Sequence, residues 1–258
     1  MLMHIFAVGD VCGRPGLDHL RRTLPGLRKL YQLDFVIVNG ENANVVGVTP
    51  AQCEEMLDAG ADVITLGNHT WTRYELKDYL EHSSRCLRPL NYAPQCPGQG
   101  VGVYETPFGP LRVINLLGRF TLDANTDNPF VVVDALLAEE DFPLTFVDFH
   151  AEGTSEKRAM GFFLEGRVSA IWGTHTHVQT SDCQVLTGGT GYITDLGMTG
   201  ASDSVLGMNK TIIVNRFRTG IPQKFELAQG KGQLCGAIFT VDENTGKCSD
   251  VERVWLDE

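Results

Sequence analysis

An α/β fold is expected for this chain on three grounds. From residue 1 to about residue 177, short apolar runs of strand length alternate with amphipathic segments, the pattern of strands joined by crossover helices. Several of these runs stop at small residues followed by acidic, amide or imidazole groups, as at the ligand-binding edge of an open α/β sheet. Beyond residue 178 the chain is richer in β-prone runs and glycine turns, which predicts a mixed or antiparallel portion of sheet.

The elements follow in order. Met3 to Val8 reads as the first strand and leads straight into Gly9-Asp10. Leu17 to Tyr31 reads as a helix that Pro25 splits or kinks. Phe35 to Val38 is a strand, Pro50 to Ala59 a helix, and Val63 to Leu66 the next strand. Leu111 to Leu117, Leu144 to Phe149 and Val168 to Trp172 are further strands, the last ending at Gly173, where the backbone must turn. Gly118 to Pro129 is polar and reads as a surface loop, with a lid over the site as the alternative. Thr211 to Phe217 and Gly236 to Val241 read as hairpin strands among turns at Gly188-Gly189, Gly230-Lys231-Gly232 and Asn244-Thr245-Gly246. No linker, repeat or low-complexity tract divides the chain, so a single domain over residues 1–258 is expected.

A chain of 258 residues can bury a sizeable core, and 43% hydrophobic with 21% charged residues is a soluble globular composition. Its 21 basic and 32 acidic residues give a net charge of −11. Such a surface repels long polyanions, so no duplex nucleic acid is expected as partner, and a small phosphorylated substrate fits better. The seven cysteines are scattered, odd in number and free of C-x-x-C spacing, which excludes a disulfide framework and a zinc knot and points to the cytoplasm. The first residues lack the basic start and length of a signal peptide, and no stretch is long enough to span a bilayer, so no membrane partner is expected. A homo-oligomer remains open.

The chemistry centres on Gly173-Thr174-His175-Thr176-His177. Imidazoles at i and i+2 diverge on an extended strand, yet in a tight loop at a strand end they reach neighbouring points, and the pair reads as metal-binding. Other strand ends carry Gly9-Asp10, Asn39-Gly40-Glu41-Asn42, Gly67-Asn68-His69 and Asp148-Phe149-His150. Singly, Asp10 and Asn68 are also explained as helix caps and Asn42 as a turn residue. Glu41 is harder to explain that way, because a carboxylate at the buried end of a strand is costly unless a cation pairs with it. Oxygen and nitrogen donors without thiolate suit iron, manganese or zinc. Eight such residues exceed what one ion with open positions needs, so two ions with Glu41 as bridge are expected. A pair roughly 3.5–4 Å apart deprotonates a bridging water near neutral pH and clamps the oxygens of an in-line displacement at phosphorus. The reaction class this predicts is phosphoester hydrolysis.

The order Asp10, Asn39-Gly40-Glu41-Asn42, Gly67-Asn68-His69, His150 and Gly173-Thr174-His175-Thr176-His177 resembles the calcineurin-like metallophosphoesterases, with their D-x-H, G-D-x-x, G-N-H, H and G-H-x-H pattern. Two departures stand out: Cys12 occupies the place of the first histidine, and Glu41 with Asn42 replaces the usual aspartate. Together with Gly9-Asp10-Val11-Cys12-Gly13, the run from Phe149 to Lys157, and Thr194-Asp195-Leu196-Gly197-Met198-Thr199-Gly200, they resemble the YmdB-like cyclic-nucleotide phosphodiesterases over nearly the whole chain.

That resemblance implies a four-layer α/β/β/α metallophosphoesterase sandwich with a mixed sheet. It implies one metal on Asp10, Glu41, Asn42 and His177, and a second on Glu41, Asn68, His150 and His175, with Asn42 taking the place that Cys12 vacates. His69 becomes the general acid that protonates the leaving ribose oxygen. The implied metal is iron, with manganese as a working substitute, and the implied nucleophile is a metal-bridging hydroxide. Small cyclic nucleotides are the implied substrates, 2′,3′-cyclic ones favoured for their strained ring and 3′,5′-cyclic ones within range. Two alternatives stand beside this reading: an RNA or phosphoprotein phosphoesterase, and a regulatory or scaffold protein that keeps metals without turnover. Among neighbouring residues, Cys12 reads as a small buried filler, and Arg14 and Lys157 as solvated cations near helix starts. His4, His19 and His82 read as structural or surface residues, and Trp71 and Tyr74 as packing at least as much as base stacking.

Overall fold

Two mixed β-sheets lie face to face with helices on their outer sides, in a computed structural model that describes residues 1–122, 124–140 and 142–258. Asp123, inside the segment read as a surface loop, lies outside the described residues.

The first sheet opens with β1 (Leu2–Val8) and the short β2 (Asp10–Val11). Helix α1 (Gly13–Leu30) crosses to β3 (Phe35–Asn39), α2 (Pro50–Asp58) to β4 (Val63–Thr65), and α3 (Leu76–His82) to β5 (Cys86–Leu87). Strands β1, β3, β4 and β5 are parallel neighbours in that order. The second sheet begins with the hairpin of β6 (Val101–Thr106) and β7 (Gly109–Leu117). It continues through α4 (Pro129–Glu139), β8 (Leu144–His150), α5 (Thr154–Phe163) and β9 (Ala170–Thr174), with β7, β8 and β9 parallel. After β10 (Gln184–Val185) and β11 (Gly191–Ile193), the chain returns to the first sheet as β12 (Met198–Ala201), α6 (Lys210–Thr219), and an antiparallel hairpin of β13 (Gly232–Asp242) and β14 (Cys248–Asp257).

The layering follows from strand periodicity. In β1, Phe6 and Val8 face Leu17, Leu20 and Leu24 of α1, whereas Ile5 and Ala7 face Val113, Phe146 and Trp172 of the other sheet. Ile114, Leu116, Val147 and Phe149 point the opposite way, onto Val133 of α4 and Met160 of α5. Three apolar interfaces thus separate four layers, the α/β/β/α order expected of a metallophosphoesterase. Each large apolar side chain buried there contributes about 1.5–3 kcal/mol. No helix among the described residues is long and apolar enough to cross a membrane.

Local chemistry explains the element ends, and in three places it corrects the sequence reading. Thr49 and Gln52 form a reciprocal capping box around Pro50, which starts α2 where the sequence predicts it. Pro25 does not split α1: the helix runs through it, with the proline on the exposed face. Thr211 to Phe217 is not a strand but lies inside α6. The Asn209 side chain accepts from the Thr211 and Ile212 amides at its start, and Gly220, in a left-handed conformation, closes its end. Its β-branched run reads as a strand only if the caps are ignored. Finally, β9 passes through Gly173 to Thr174, pairing with Phe149 and His150 of β8. Gly173 is there for space: a Cβ would come within 1.9 Å of the Thr194 carbonyl oxygen.

Candidate metal centre

The carboxyl ends of β1, β3 and β4 in one sheet meet those of β8 and β9 in the other. Asn39, the last residue of β3, ties them by donating Nδ2–H to Asp148 Oδ2 at 3.1 Å and approaching Thr174 Oγ1 at 3.3 Å. Over this seam the structure brings together the seven residues expected to hold metal, and His69 with them. Asp10 follows β1, Glu41 and Asn42 follow β3, Asn68 and His69 follow β4, His150 ends β8, and His175 and His177 follow β9. Asp10, Glu41 and His150 are fully buried.

Glu41 lies at the middle. Its Oε1 is 2.9 Å from His150 Nε2 and 3.5 Å from Asn42 Nδ2, and its Oε2 accepts the His69 backbone amide at 3.1 Å. His150 Nε2 is also 3.1 Å from Asn68 Oδ1 and 3.0 Å from His175 Nδ1. On the other flank, Asn42 Nδ2 is 3.2 Å from His177 Nε2, which stands 3.7 Å from Asp10 Oδ1. His69, half-buried, has its Nε2 3.4 Å from Asn68 Nδ2.

Backbone conformation makes this convergence possible. His175 and His177 have φ of 97° and 63°, so both imidazoles turn to one side although they are two residues apart. Each such conformation costs a non-glycine residue about 1–3 kcal/mol, which neighbouring bonds must offset. The His175 amide donates to Asp10 Oδ2 at 3.1 Å and the Thr176 amide to Asp195 Oδ2 at 3.1 Å. At Gly67 a Cβ would lie 2.3 Å from Glu41 Oε2 and 2.4 Å from His150 Nε2, so glycine there leaves room for the cluster.

The buried charges of the cluster shift one another. Burial alone would lower the His150 pKa, but Glu41, Asp10 and Asp148 around it carry it up to about 9. Burial would raise Glu41, yet the facing His150 and His69 bring it down to about 2. Burial holds Asp10 up at about 6, and burial followed by the charge of His150 pushes His175 down to about 3. Asp10 Oδ1 is buried and has no hydrogen-bond partner among the described residues. Ligand atoms of Glu41, His150 and His175 lie within 4.8 Å of one another. Hard carboxylate and amide oxygens with imidazole nitrogens, gathered in this way, fit divalent metal ions.

Several supporting residues escaped the sequence reading. Thr174 Oγ1 donates to Asp148 Oδ1 at 2.7 Å and lies 2.9 Å from His150 Nδ1, so it can accept that Nδ1–H and leave Nε2 for the cluster. The signal was present: Asp148 and His150 are two apart on a strand and share its face. Glu152 Oε2, 3.0 Å from His175 Nε2, orients that ring in the same way. Lys157 is not solvated as expected, but buried and paired with Asp195 at 2.7 Å. Arg14 is exposed and bonded to Glu55. Cys12 is buried, its thiol held near the Leu206 carbonyl and its pKa pushed by burial up to about 12, which fits a filler. Trp71 packs edge-on against Tyr92, and Tyr74 is exposed beneath the Lys77 ammonium.

A family profile described as YmdB-like protein matches residues 6–254. The chain belongs to the YmdB-like family. It is similar to the 2′,3′-cyclic-nucleotide 2′-phosphodiesterase of Bacillus subtilis strain 168, at 43% identity over 99% of this chain and 98% of that protein. Among solved structures, a novel phosphatase from Mycoplasma pneumoniae superposes with a TM-score of 0.94 at 37% identity, over 100% of this YmdB-like chain and 94% of the other. A hypothetical protein from Thermus thermophilus superposes with a TM-score of 0.92 at 39% identity, over 99% and 100% of the two chains.

Proposed function

We propose that this YmdB-like protein is a metal-dependent phosphodiesterase that opens 2′,3′-cyclic nucleotides at the 2′ oxygen, with 3′,5′-cyclic nucleotides within its range. The observation that carries the reading is the buried Glu41 carboxylate, whose Oε1 meets both His150 and Asn42, the latter leading to His177, while its Oε2 accepts the His69 amide. The similarity to the Bacillus subtilis enzyme supports the substrate class.

Asp10, Glu41, Asn42 and His177 would hold one ion, and Glu41, Asn68, His150 and His175 the other, with Glu41 common to both. Iron is the favoured metal and manganese a working substitute. When bound, such a pair supplies Lewis-acid polarisation of the phosphoryl oxygens and water ionised near neutral pH. The chain's own residues do the rest. Asp148 through Thr174, and Glu152, hold the imidazoles of His150 and His175 in register. His69, anchored through its amide to Glu41, protonates the departing ribose oxygen. All seven cysteines are free, which supports a reducing, cytoplasmic setting.

The reading is tested by incubating the iron- or manganese-loaded protein with 2′,3′-cyclic AMP in water enriched in oxygen-18. The expected product is the nucleoside 3′-phosphate carrying one heavy oxygen on phosphorus. A 2′-phosphate product would refute cleavage at the 2′ oxygen, and no turnover beside ready hydrolysis of RNA would assign the centre to another substrate.

A further inference from the structure

Beneath the histidine loop lies a buried ion pair that the reaction described above does not use. Asp195 is fully buried and Lys157 is 1% exposed. Asp195 Oδ2 accepts from Lys157 Nζ at 2.7 Å, from the Thr176 amide at 3.1 Å and from Thr176 Oγ1 at 2.6 Å, and Oδ1 accepts from the Gly197 amide at 2.8 Å. Both carboxylate oxygens are therefore engaged inside the protein, away from any role as a metal ligand. Thr176 is the residue between His175 and His177, and both neighbours have left-handed backbone. The loop is tied down at the point where it would otherwise relax.

Lys157 is fixed with equal care. It enters from α5 through the space left by Gly173, where a Cβ would lie 2.7 Å from its Cδ and 2.9 Å from its Cε. Its ammonium also approaches Thr176 Oγ1 at 3.5 Å. The pair joins α5, the histidine loop and the turn after β11 at one point, and Lys157 neutralises a carboxylate that would otherwise be a costly buried charge.

We infer that Asp195, held by Lys157, is a positioning residue that fixes the orientation of His175 and His177 and thereby sets the affinity of the centre for divalent metal. This rests on the metal-site reading given under Proposed function. Partners standing behind metal ligands typically contribute 10–100-fold in metal affinity.

The test uses the full chain stripped of metal and titrated with Mn²⁺ alone by calorimetry, with circular dichroism and thermal melting on the same samples. Asp195→Asn and Thr176→Val are compared with wild type and with Asp182→Asn. Asp182 bonds Thr180 and Thr194, which hold the Asp195 backbone, but among the described residues it bonds neither Thr176 nor the Asp195 carboxylate, so its variant controls for disturbance of the same turn with the carboxylate's bonds to the loop left in place. Asp195→Asn and Thr176→Val are expected to raise the Mn²⁺ Kd about 10–100-fold while folded, with Asp182→Asn near wild type whatever its Tm. Should Asp195→Asn fail to fold, Thr176→Val, which removes only the hydroxyl's contacts with Asp195 and Lys157, decides the question. Folded variants that bind Mn²⁺ as wild type does, or an equal loss in Asp182→Asn, would overturn the positioning role. A folded wild-type chain that takes up no Mn²⁺ would overturn the metal-site reading itself, and this inference with it.

Discussion

His150 Nε2 and His175 Nδ1 face each other at 3.0 Å, with Glu41 Oε1 2.9 Å from the same His150 nitrogen. Two ring nitrogens approach so closely only across a shared proton or a shared cation. Here they do so in a buried site whose polar atoms are held from behind by Asp148, Thr174 and Glu152. The consequences are specific to individual residues.

In the proposed centre Glu41 is common to both ions. Glu41→Ala is expected to lose both metals together, measured as metal per chain by plasma mass spectrometry. Retention of one full equivalent would show that Glu41 does not bridge.

His69 stands beside the cluster, its Nε2 3.4 Å from Asn68 Nδ2. His69→Ala is expected to keep its metals and to slow substrates with poor leaving groups by about 10²–10⁴. Aryl phosphodiesters, whose leaving groups need no proton, should be affected far less. Equal slowing of both substrate types would remove His69 from the role of general acid.

Gly67 leaves the space in which Glu41 and His150 meet. Gly67→Ala places a methyl against both side chains and is expected to lower metal content per chain well below wild type in a folded protein. Wild-type metal content in that variant would contradict the close packing described here.

Much of this centre was legible in the sequence because an open α/β sheet presents ligands where its strands stop. Asp10, Glu41, Asn68, His150 and His175 each follow or end an apolar run, and a run's end can be read without its partners. Lys157 and Asp195 could not be read so, since they are 38 residues apart and meet only through the space at Gly173. The early parallel strands were likewise readable from periodicity, whereas α6 was not. Its Thr-Ile-Ile-Val run has strand character, and the deciding features are the caps at Asn209 and Gly220.

His19 offers a prediction away from the site. It is buried on α1, its ring nitrogens have no hydrogen-bond partner among the described residues, and burial lowers its pKa despite Glu258 at 3.5 Å. A folded pKa below the unfolded value of 6.5 means that the unfolded chain binds the extra proton. Stability from this residue is therefore complete above the unfolded pKa of 6.5 and is lost as pH falls below it toward the lowered folded pKa. His19→Gln should flatten the slope of denaturation free energy between pH 7 and pH 5. An unchanged slope would assign the acid sensitivity elsewhere.

The central claim is a two-metal centre, and it is tested most directly by metal content per chain, by plasma mass spectrometry, on protein purified without a metal-binding tag. The account predicts close to two ions per chain, mostly iron, or two manganese ions after add-back. Less than one ion per chain, both as purified and after iron or manganese is supplied, would contradict it.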